Sequence, residues 1–145
     1  MNTLSRSLPI SRAADRPEAL VNATLLAGRV GLGLLFAISG FGKITGFAGT
    51  AGYMASKGMP FAEALLVGAI AVELIGGLML IAGFKARWAA LAIAAFLVPT
   101  TLVFHSPVGP EAQAQMTQFL KNLSILGGML YVAVFGAGAW SADRR

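Results

Sequence analysis

The chain reads as an all-α protein: a four-helix transmembrane bundle with both termini in the cytoplasm. Three observations predict this. Apolar residues make up 57% of the 145 and charged residues only 12%, against roughly 45–50% and about 25% in soluble domains, and the mean hydropathy is +0.75. Four apolar stretches follow one another, each near the roughly 20 residues that cross about 30 Å of hydrocarbon. Lysine and arginine gather at the edges of those stretches, more on one side than on the other. This composition excludes a disordered chain, a collagen-like chain and a typical water-soluble enzyme.

Residues 1–20 are expected to be a polar, mostly disordered leader, carrying Arg6, Arg12, Arg16, Asp15 and Glu18. A basic stretch before an apolar run resembles a signal peptide. This run is too long for a signal, holds Arg29 and lacks a small-x-small cleavage site, so the leader is expected to stay. Residues 21–140 form the membrane domain, and 141–145 a short cytoplasmic tail. The apolar stretches cover 21–41, 61–81, 88–104 and 122–140. Hydrocarbon offers no hydrogen-bond partners, so each must be helical. Their many glycines would weaken helices in water, but in lipid they let helix backbones approach closely. Pro99 falls inside the third helix and is expected to kink it. The outer loop 46–60 reads as a short interfacial helix stopped by Gly58 and Pro60. Gly109-Pro110 is a helix-opening signal, so the fourth helix can start there.

Orientation rests on the basic residues. Four crossings put both termini on one side, with Arg6, Arg12, Arg16, Lys85, Arg87, Arg144 and Arg145. Lys43, Lys57 and Lys121 fall on the other. The richer side is predicted to be cytoplasmic, which accounts for the net charge of +5 without nucleic acid: the cations lack the aromatic interleaving of a nucleic-acid face. The chain has no cysteine and one histidine, His105. Thiolate metal sites, dithiol chemistry and multi-histidine metal or haem sites are excluded, and no metal is expected.

Two charges fall deep inside apolar stretches, where a charge costs about 2.5–3.5 kcal/mol on insertion scales. Arg29 and Glu73 each lie about eight residues from the inner end of helices one and two, roughly 12 Å deep. They are predicted to face each other as an intramembrane ion pair, serving either to fix helix register or as a substrate or proton site. A second polar layer is expected at the outer end, from Lys43, His105, Lys121 and Asn122, with Thr101 one turn below His105. Snorkelling lysines and an interfacial histidine are the plainer reading of that layer. Arg29, Phe36 and Lys43 are spaced by seven and share one helix face. Asn122, if internal to its helix, needs a partner.

Several of these segments resemble the DoxX family. Arg29-Val30-Gly31-Leu32-Gly33-Leu34-Leu35-Phe36 with Ser39-Gly40-Phe41-Gly42-Lys43 is similar to the family's first helix. Glu73-Leu74-Ile75-Gly76-Gly77 with Leu80 and Gly83 is similar to its second. His105 resembles the Phe-His ending of its third, and Phe119-Leu120-Lys121-Asn122-Leu123-Ser124-Ile125-Leu126-Gly127-Gly128 its fourth-helix signature. The segments fall in order across residues 21–140. Ser106-Pro107 departs from the aromatic that many members carry after the histidine. The resemblance implies a multi-pass protein of the bacterial inner membrane, in a family named for a subunit tied to quinone-linked sulfur oxidation and often given an oxidoreductase label.

An accessory or quinone-contacting subunit of a membrane redox system is therefore the leading expectation, rather than a self-sufficient enzyme. Quinone is the expected ligand, and no intrinsic cofactor or catalytic residue is assigned. His105, Lys43 and Asn122 would donate to a headgroup, with Phe36, Thr101 and Phe104 as ligand wall. The alternatives are a non-enzymatic module that binds or transports a small or lipid-like molecule, with homo-oligomerisation, and a structural membrane partner whose glycine-rich faces dock another subunit. The bilayer is the first partner, and a soluble or membrane redox protein the second.

Overall fold

A computed structural model describes residues 17–143, all of whose regular structure is helical. The helices are α1 (Glu18–Thr45), α2 (Phe47–Ser56), α3 (Ala62–Ala82), α4 (Ala86–Phe104) and α5 (Ala112–Phe135). Of these, α1, α3, α4 and α5 are long and apolar enough to cross a membrane. The leader reading falls mostly on residues 1–16, outside the described residues, as do the last two residues of the tail. The described part of the leader, from Glu18, already belongs to α1.

The bundle is apolar outside and small-featured inside. Trp88, Tyr131 and Ile38 are each about 70% exposed (72%, 70% and 68%), as lipid-facing side chains should be. The core joins Phe36, Leu80, Ile93, Leu97 and Met129 with a run of α4 alanines, Ala86, Ala89, Ala90 and Ala94. Lipid tails are as apolar as the helices, so close packing rather than water exclusion holds such helices together. Glycine permits it between α1 and α3: a Cβ on Gly77 would fall 2.6 Å from Ala37 N, and one on Gly40 2.8 Å from Leu74 N. In the middle of α3, Ala71–Ile75 widens into a single π-turn, a form found often at functional positions.

α2 fills the loop between α1 and α3 as a short helix and packs Ala51 and Met54 on Leu66 of α3. Pro99 is accommodated within an unbroken α4. α5 starts at Ala112, two residues beyond Pro110, and ends at Phe135 rather than running on to 140. Gly136 and Gly138 cause the early stop, with φ of 82° and 79°, values a helix cannot contain. Residues 136–143 then fold back over the α3–α4 turn, where Ala142 N donates to Ala82 O (3.1 Å) and Asp143 N to Gly83 O (2.9 Å). The start of α1 and the described tail thus share one end of the bundle, and α2 lies at the other.

Candidate functional site

Arg29 and Glu73 are both buried, at 2% and 5% exposure, but they do not pair. The contacts Gly33–Gly77 and Gly40–Leu74 fix the register of α1 against α3. That register sets Arg29 beside the end of α3, about ten residues, or roughly 15 Å, from Glu73 along the axes. Counted from the ends of the apolar stretches, the two charges lie equally deep. α1 overshoots α3 by several turns at that end, so equal distances from the ends are not equal heights.

Arg29 serves a different end. Its Nη1 donates to Leu80 O (2.7 Å) and Ile81 O (2.8 Å), and its Nη2 to Trp140 O (2.9 Å). Leu80 and Ile81 belong to the last turn of α3, whose carbonyls lack helical partners and carry the negative end of the helix dipole. Gly83 closes the same turn in the left-handed region (φ 68°), with Gly83 N on Leu80 O and Phe84 N on Met79 O, a Schellman end. One guanidinium therefore clasps α1, α3 and the tail together. Its Nε has no partner among the described residues.

Glu73 is held instead by residues of α1, opposite the π-turn. Lys43 Nζ lies 2.8 Å from Glu73 Oε2, a close ion pair that is off-angle for a hydrogen bond to that oxygen. Lys43 Nζ also donates to Ser39 Oγ (2.9 Å), and Ser39 Oγ donates to Glu73 Oε1 (3.3 Å). Ser39 and Lys43 stand one turn apart, so both reach the same carboxylate. The acid's side chain is 7% exposed and the lysine's 27%: the buried charge is reached from outside through the ammonium. The arrangement can hold a proton-accepting carboxylate beside two donors inside a membrane span. Phe36, expected on a ligand wall, lies instead in the core beside Leu80.

The remaining predicted residues fall into separate groups. Asn122 Nδ2 donates to Thr101 Oγ1 (3.0 Å), and Thr101 Oγ1 donates on to Leu97 O (2.7 Å). Both line a crevice of about 110 Å³ between α4 and α5, otherwise walled by apolar side chains. His105 Nδ1 lies 2.9 Å from Gln115 Oε1, which links the end of α4 to the start of α5. Phe104 packs against Tyr53 of α2, ring centroids 5.8 Å apart. Lys121 is exposed. Among the described residues no hydrogen bond joins Lys43 or Lys121 to His105 or Asn122, so the expected outer layer is several clusters rather than one.

Sequence reasoning missed Ser39, Gln115 and Asp143. Ser39 had a visible signal, since it lies four residues before Lys43 on an inward face. Asp143 had none. It caps α4 from the tail, accepting from Lys85 N (2.7 Å) and Ala86 N (3.0 Å), a contact across 57 residues and more that no local pattern announces.

Comparison with known proteins agrees with this architecture. The chain is 42% identical over 127 residues to Inner membrane protein YqjF of Escherichia coli (strain K12), covering 88% of this chain and 95% of that one. It is 36% identical over 124 residues to Inner membrane protein YphA of the same organism, covering 83% and 89%. No solved structure matches it significantly. The DoxX family profile matches residues 24–106, a segment that includes Arg29, Ser39, Lys43, Glu73 and His105, and the chain belongs to the DoxX family.

Proposed function

We propose that this DoxX-family inner-membrane protein is an accessory subunit of a membrane redox system that contacts quinone or quinol and does not carry electrons itself. The observation behind this reading is the Ser39–Lys43–Glu73 triad. A quinone carbonyl accepts hydrogen bonds, and a quinol hydroxyl gives up a proton when oxidised. The Lys43 ammonium supplies the donor, and the Glu73 carboxylate the acceptor. Glu73 lies eleven residues into α3, about 16 Å from its start, a depth that a quinone dissolved in the bilayer reaches. Two-electron chemistry then requires a redox partner, soluble or membrane-bound, because the chain has no cysteine and its side chains carry no electrons at ordinary potentials.

The test is quinone retention by the detergent-purified protein. Lipid extracts analysed by mass spectrometry are expected to contain quinone, and decylubiquinone is expected to raise the melting temperature. Glu73→Gln should abolish the shift while helical content stays unchanged. Extracts free of quinone, with no shift for the unaltered protein, would refute the reading. The same charge pair also suits a proton-coupled transport module. Proton-dependent uptake by vesicles, lost in Glu73→Gln, would select that reading instead.

A further inference from the structure

The end of the bundle away from the triad holds an open-sided cavity of about 530 Å³ between the start of α4, the end of α5 and the returning tail. Lys85 and Arg87 line it, with Trp88 and Phe135 among its walls. Gly136 makes room for the guanidinium: a Cβ there would stand 3.1 Å from Arg87 Nε. Among the described residues the one acid on the wall is Asp143, and its two oxygens take the backbone N–H groups of Lys85 and Ala86. Among the described residues neither Lys85 nor Arg87 forms a salt bridge. The cavity therefore presents two cations to whatever enters it.

Its surroundings are those of a membrane boundary. Trp88 is 72% exposed, and Phe84, Phe135 and Trp140 at the same end are half exposed or more; exposed tryptophans favour the headgroup level. Below the cavity the outer faces of α4 and α5 stay apolar, with exposed Leu91, Tyr131 and Val134. A ligand suited to both features has an anionic head and long apolar chains. We propose that this cavity binds the phosphate of an anionic membrane lipid, with Arg87 and Lys85 on the headgroup and the acyl chains along α4 and α5. Arg29 and Asp143 are positioning residues here, because they hold the tail that forms one wall.

The test is competitive lipid retention in native mass spectrometry of the full chain, from mixed detergent micelles. The unaltered protein is expected to keep dioleoylphosphatidylglycerol in preference to dioleoylphosphatidylcholine. Arg87→Gln and Lys85→Gln should each reduce that preference about fivefold, the factor equivalent to about 1 kcal/mol per basic residue. Both side chains are exposed, and circular dichroism should show unchanged helix content. Lys57→Gln removes the same charge at the opposite end and should leave the preference intact. Equal retention of the two lipids, or an equal loss in Lys57→Gln, would overturn the proposal. Displacement of the lipid by glycerol 3-phosphate would assign the cavity to a soluble phosphate and would overturn it too.

Discussion

Lys43 and Ser39 do for Glu73 what the first impression of the sequence asked of Arg29. An isolated carboxylate in hydrocarbon is costly enough to take up a proton rather than stay charged. Here an ammonium and a hydroxyl face the Glu73 carboxylate, and the spacing of Ser39 and Lys43 delivers both from one helix face. The inward face of α1 was legible, because Arg29, Phe36 and Lys43 repeat every seven residues and all three turn inward. Which of its two cations meets the acid was not, because that depends on a register set by glycine contacts. Two substitutions separate heavy from light polar contacts. Arg29→Leu removes three hydrogen bonds from a charged donor and is expected to destabilise by about 2–4 kcal/mol. It should also speed amide exchange at Ala142 and Asp143, whose partners lie beside the clasp, and leave exchange in α2 unchanged. Asn122→Ala removes a single bond between neutral side chains and should cost about 0.6–1.7 kcal/mol. Equal effects of the two substitutions, read by denaturation in mixed micelles, would show that the clasp is ornamental.

Helix existence and order were readable because hydrocarbon forces backbone self-satisfaction, and the start of α5 was readable from Pro110. The end of α5 was not. Gly127 and Gly128 sit inside the helix while Gly136 and Gly138 break it, and only the backbone angle distinguishes them. The cap of α4 was hidden for a related reason: its acid comes from the tail. Asp143→Ala should free two N–H groups at the start of α4 and cost about 1 kcal/mol, seen as a lower melting temperature with unchanged helix number. Gly77→Val is expected to be far worse, since its side chain would collide with backbone atoms of α1 at 2.6–2.7 Å, which neither helix can yield without separating. Its measure is loss of the folded fraction on size-exclusion chromatography, with Gly28→Ala, where a Cβ meets nothing within 4 Å, as the unaffected control.

Taken whole, the molecule is a bundle with a charged centre toward each end: the Arg29 clasp by the tail and the Ser39–Lys43–Glu73 triad toward α2. By sequence, seven lysines and arginines flank the spans on the side of the termini against three on the other, and we propose on that count that the tail end faces the cytoplasm. Because the chain has no cysteine, single cysteines report topology without background. A cysteine at position 2 should resist an impermeant maleimide in intact cells, and one at position 57 should react. The separation of the two centres is the claim on which the site assignment depends, and coupling energies measure it directly. Double-mutant cycles on unfolding free energy should give Lys43→Met with Glu73→Gln a coupling well above 0.5 kcal/mol. Arg29→Leu with Glu73→Gln should be additive within about 0.3–0.5 kcal/mol, as expected for side chains more than about 7–10 Å apart. Strong coupling of Arg29 to Glu73, with none from Lys43, would contradict the account.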